Sequence, residues 1–73
     1  MTEDQAARLK ELGERLRAAR KGVDETQSRA AESVGLHRTY ISRVESGGEN
    51  ITVGALYRLA DHYGVPASRI LPD

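Results

Sequence analysis

Residues 26–45, TQSRAAESVGLHRTYISRVE, set two short apolar-periodic stretches on either side of one glycine, and this spacing restricts the fold more than anything else in the chain. Thr26 is a candidate N-cap, because a hydroxyl there accepts a bond from one of the orphan amides that open a helix. A helix then runs from Gln27 to about Val34. Gly35 follows and supplies the left-handed backbone that a C′ residue commonly adopts and that a Cβ resists. Leu36 turns into the core, and a second helix starts at His37 or Arg38 with Ile41 and Val44 directed inward at i, i+3 spacing.

Rotating the second helix by about 100° per residue sorts its side chains. Ile41, Val44 and Glu45 fall on one face, and Thr39, Ser42, Arg43 and Ser46 on the other. The outward face is polar and uncharged except for Arg43, with Arg38 near its N-terminal end, and no acid occurs between Glu32 and Glu45. A surface helix more often mixes Glu and Lys one turn apart. An arginine can donate two bonds to guanine O6 and N7, while small hydroxyl residues approach base edges or bond phosphates, so this face suits a DNA major groove. Taken alone, Arg38 and Arg43 fit plain solvated charges equally well.

RLRAARK at 15–21, Thr26 with Gln27, Ala31, Gly35, HRTYIS at 37–42, Glu45, Gly47 and ITVGALYRLADHYGVP at 51–66 together resemble the XRE-type, phage-repressor-like helix-turn-helix family. RTYIS is similar to the reading helices of restriction-modification controller proteins. The resemblance covers nearly the whole chain from Arg8 onward. It implies an all-α, compact five-helix bundle of the lambda-repressor type that binds operator DNA as a homodimer. It also implies that Gln27 bonds a phosphate and braces the reading helix, and that Arg20 pairs with the inward-facing Glu45. It further places the two-fold interface on the last helix, at Ile70 and Leu71. Asp24 and Glu25 depart from the family's glycine and apolar residue, though Asp tolerates the left-handed region better than most residues. Val23 is expected to cover part of the missing apolar contact. Ala30 replaces a leucine common among relatives and implies a thinner core.

Length and composition fit one domain spanning 1–73, since 73 residues hold a single core. The absence of cysteine excludes a disulfide framework and a thiolate zinc site and suits a reducing cytoplasm. Neither a membrane-spanning run nor a signal peptide is expected. The 11 basic and 11 acidic residues cancel, which predicts weak nonspecific DNA binding because that contribution scales with the phosphates neutralised.

The flanking segments read as scaffold. A first helix over about Asp4 to Lys21 carries Leu9, Leu12, Leu16 and Ala19 on one stripe, with Gly13 off it at a cost of about 1 kcal/mol against alanine. Thr52 is a candidate cap for a helix that buries Val53, Leu56, Leu59, Ala60 and Tyr63 and ends at Gly64; Pro66 can open a last helix over 67–71. The SGGE loop at 46–49 fits a phosphate contact or a flexible turn. His37 and His62 are far apart, with His62 expected on the outside of its helix, and no nucleophile, metal-ligand cluster or phosphate loop is recognisable. No enzyme activity, metal or cofactor is expected. The expected DNA-binding residues are Gln27, His37, Arg38, Thr39, Tyr40, Ser42, Arg43 and Asn50, with Arg38, Thr39 and Arg43 on base edges. The alternative is a protein-binding module on the same fold, antitoxin-like or an adaptor to RNA polymerase.

Overall fold

The computed structural model describes residues 2–72, which form α1 (Glu3–Gly22), α2 (Gln27–Val34), α3 (Arg38–Glu45), α4 (Val53–Tyr63) and α5 (Ala67–Ile70). No strand occurs among the described residues. Local chemistry sets the helix ends. Thr2 and Gln5 close a reciprocal capping box on α1, and the hydroxyls of Thr26 and Thr52 accept from the amides of Arg29 and Ala55, each at 3.1 Å. Gly35 and Gly64 stop α2 and α4 in the left-handed region, both at φ +72°. Asp24 adopts the same region at φ +57°, so the α1–α2 turn forms without a glycine at that position.

Helix α1 packs on α3, α4 and α5, while α2 packs on α3 and α4. Leu12, Leu16, Ile41, Val44, Leu56, Leu59, Tyr63 and Ile70 meet at the centre around Ala30 and Ala31. Ala30 is completely buried, so the small side chain lets α2 sit close to the core.

Several expectations require correction. Gly13 is buried in the α1–α3 contact: a Cβ there would lie 2.4 Å from the Val44 carbonyl oxygen and 2.5 Å from that of Glu45. Its lack of a side chain admits the other backbone. Val53 is 66% exposed, because it occupies the first position of α4 where no neighbouring helix covers it, and Ala55 is buried instead. Val23 is 41% exposed and lies beside Ala19, Tyr63 and Val65 near the α1–α2 turn. Helix α5 ends at Ile70, with Pro66 as its N-cap rather than its first residue. Ile70 is fully buried against α1 and α4, so of the two residues expected at a dimer interface only Leu71, 47% exposed, remains open.

Candidate nucleic-acid interface

The polar face of α3 is open because its opposite face is fully committed to the core. Ile41 and Val44 are each 1% exposed, which fixes the rotation of the helix and turns Arg38, Thr39 and Arg43 to the surface. Ser42 is half-buried at the edge of this face. The charge arrangement is unlike that of a helix tuned only for stability. Helix α1 has Glu3 and Asp4 in its first turn and Arg20 and Lys21 in its last, matching its macrodipole at both ends. Helix α3 has no acid in its first turn and begins with Arg38, adding a cation to the positive end. That placement costs about 0.3–1 kcal/mol of helix stability and strengthens attraction for an anion.

Glu45 anchors the C-terminal end of α3. Arg20 donates from Nε to Glu45 Oε2 at 2.8 Å and from Nη2 to Oε1 at 3.0 Å, a two-bond clasp in which both side chains are nearly inaccessible. Gln27 Nε2 donates to the same Oε1 at 3.1 Å, and Arg20 Nη1 donates to the Glu25 carbonyl at 2.6 Å. Thus α1, the α1–α2 turn and the start of α2 all converge on the reading helix. The hydrogen bonds to Glu45 raise the Arg20 pKa and outweigh the opposing effect of burial. Burial pushes the nearby Tyr63 hydroxyl up to about 12, with the Glu45 charge adding to the rise and Arg20 opposing it.

The remaining expected residues separate by role. His37 is the N-cap residue of α3, but its side chain makes no capping bond and is exposed. Tyr40 is half-buried, and its hydroxyl accepts from the Thr52 amide at 3.1 Å, tying α3 to the start of α4. Asn50 is exposed beside Arg8, Leu9 and Leu71, so its neighbours are the N-terminal half of α1 and the C-terminal tail. Ser46 Oγ donates to the Arg43 carbonyl at 2.9 Å, and the Gly48 amide donates to that same oxygen at 2.9 Å.

Two features escaped the sequence reading. His62 does not point freely outward: its Nε2 lies 2.6 Å from Glu25 Oε1, linking the end of α4 to the α1–α2 turn. Arg17 lies on α1 beside Ser42 and Gln27, at the margin of the reading helix. Its i, i+3 distance from Arg20 was visible, but only packing shows which α1 residues border α3.

No helix among the described residues is long and apolar enough to cross a membrane, and no group of His, Cys, Asp or Glu is arranged to hold a metal. No curated protein matches the chain. Among solved structures, the restriction-modification controller protein C.AhdI from Aeromonas hydrophila is 29% identical, with a TM-score of 0.84 over 89% of this chain and 98% of that one. The DNA-binding domain of BldD is 31% identical, with a TM-score of 0.83 over 99% of this chain and 100% of the other. The hypothetical transcription factor NHTF from Neisseria is 29% identical, with a TM-score of 0.84 over 99% of this chain and 83% of that chain. The Helix-turn-helix domain family matches residues 11–70. With that match spanning most of its length, and with α2, Gly35 and α3 in the corresponding arrangement, the chain belongs to the helix-turn-helix domain family.

Proposed function

We propose that this protein is a sequence-specific DNA-binding regulator of transcription that occupies a palindromic operator as a homodimer. The observation that carries this reading is the exposed, acid-free face of α3, held by the Arg20–Glu45–Gln27 network and headed by a cation that the helix dipole does not favour. Arg38, Thr39 and Arg43 meet base edges, and Ser42 meets a base or the backbone. Gln27 braces α3 through Glu45 and offers its second amide hydrogen to a phosphate. His37 and Asn50 reach phosphates from the two ends of the reading unit, and Tyr40 contributes through the placement of α3.

One α3 of eight residues spans too little of a groove for strong discrimination, so two copies are needed. Among the described residues, the exposed large apolar side chains available for self-association are Val53 and Tyr57, one turn apart on α4, together with Leu71 and Val23. Such a dimer sets its reading helices about 34 Å apart on half-sites separated by about one turn of duplex. A binding selection on random duplex DNA tests the proposal. Enrichment of an inverted repeat with that spacing is the expected outcome; no enrichment would favour the protein-binding alternative, for which overall charge neutrality is the supporting observation.

A further inference from the structure

Between α1, the start of α2 and the C-terminal half of α3 lies an open hollow of about 440 Å³ lined by the polar residues Arg17, Arg20, Gln27, Ser42, Glu45 and Ser46. Four of these groups are already committed. Arg20 and Glu45 neutralise one another, Gln27 gives one amide hydrogen to Glu45, and Ser46 donates to the Arg43 carbonyl. The side chains of Ser42 and Arg17 make no hydrogen bond or ion pair among the described residues, although the Ser42 carbonyl accepts from the Ser46 amide within the helix end. An incoming anion therefore meets the free guanidinium of Arg17, the free Ser42 hydroxyl and the remaining Gln27 amide hydrogen, while the one carboxylate present is masked by its partner.

We propose that this hollow seats a DNA backbone phosphate, with Arg17 as its charged ligand and Ser42 and Gln27 as neutral donors. The inference rests on the DNA-binding reading above and adds a role for Arg17. Three observations support it. The guanidinium is exposed and unpaired, so it can turn to a phosphate without breaking an existing bond. Lys10 and Lys21 share its side of α1 at i−7 and i+4, giving that side three cations against the one acid, Glu14, that stands between Lys10 and Arg17. The hollow also borders Ser42, so a phosphate held there sets how deeply the adjacent Arg43 enters the groove. Phosphate contacts position a protein on the duplex, and base contacts supply sequence information.

The test compares wild type, Arg17→Ala and Arg17→Lys on the selected duplex and on a duplex of unrelated sequence, across a series of salt concentrations. Arg17→Ala is expected to weaken both complexes by the same factor, on the order of tenfold per bound protomer at low salt. Its salt dependence becomes shallower by about 0.9 in log–log slope per bound protomer, so the loss shrinks about threefold per protomer between roughly 50 and 200 mM salt. Arg17→Lys retains most of the affinity, and thermal stability is unchanged because the side chain is exposed. Replacing single phosphates by neutral methylphosphonates should reveal one position per half-site at which Arg17→Ala adds no further loss. Unchanged affinity and slope in Arg17→Ala overturns the phosphate seat while leaving the regulator reading intact. Altered preference at one base pair overturns it by moving Arg17 to a base edge. Failure of wild type to prefer the selected duplex removes the regulator reading itself.

Discussion

Gly13 decides how closely the reading helix is held to its scaffold, and Gly13→Ala sets two effects of opposite sign against each other. Within a helix, alanine is favoured over glycine by about 0.8–1.0 kcal/mol. Here the new Cβ would stand 2.4 Å from the Val44 carbonyl oxygen, 2.5 Å from that of Glu45 and 2.8 Å from the Glu45 carbonyl carbon. Ordinary carbon–oxygen contact needs about 3.3 Å, so the backbones must separate by nearly an ångström. All three obstructing atoms are backbone, and no flexible side chain can move aside. Overpacking typically costs 1–3 kcal/mol, and this site belongs at or above the top of that range because it also shifts the Arg20–Glu45 clasp. After the propensity gain, net destabilisation is about 2 kcal/mol. For a domain of this size that lowers Tm by roughly 8–16 °C. Far-UV circular dichroism during heating measures it, with Gly54→Ala in α4 as the control. Gly54 has nothing within 4 Å of its would-be Cβ, so that variant should melt at the same temperature as wild type or higher. An unchanged or raised Tm for Gly13→Ala would refute the close approach.

Three further outcomes are expected. Glu45→Ala leaves the buried Arg20 without its carboxylate and lowers stability by about 3–5 kcal/mol, with DNA affinity falling as α3 loosens; an unchanged melting curve would count against a shared pair. The buried Tyr63, with its pKa pushed up to about 12 from the ordinary tyrosine value of 10.0, remains protonated in the fold after the unfolded chain has lost that proton. Its contribution is complete below pH 10 and is lost as pH rises toward 12, amounting to roughly 2–3 kcal/mol. Denaturant unfolding of Tyr63→Phe should show a correspondingly smaller alkaline decline, and identical declines in both proteins would sink the assignment. Arg43→Ala should weaken the cognate complex by about 1–3 kcal/mol and relax preference at one base position; an equal loss on every duplex would reassign Arg43 to phosphate.

Helix boundaries were readable from the sequence because capping is local. A threonine hydroxyl at 26 or 52 reaches an amide three residues on, and a glycine at 35 or 64 takes a positive φ, whatever lies beyond the turn. The two faces of residues 38–46 were readable for the same reason, since helical rotation alone separates Ile41 and Val44 from Thr39 and Arg43. Contacts between elements were not. Periodicity assigned Val53 to the core and the family resemblance put Ile70 at a dimer interface, and the packing of α1, α4 and α5 exposed the first and buried the second. Helical periodicity makes Gly13 a tolerated defect, whereas the backbone at the end of α3 lies directly against it. The His62–Glu25 contact and the polar hollow at Arg17 bring together residues far apart in sequence. Amino-acid order determined which segments become helices and which face of each is apolar, because those depend on neighbours a few residues away. The tertiary structure alone decided which helices touch and how closely, because that is fixed by which backbones and side chains can occupy the same few ångströms.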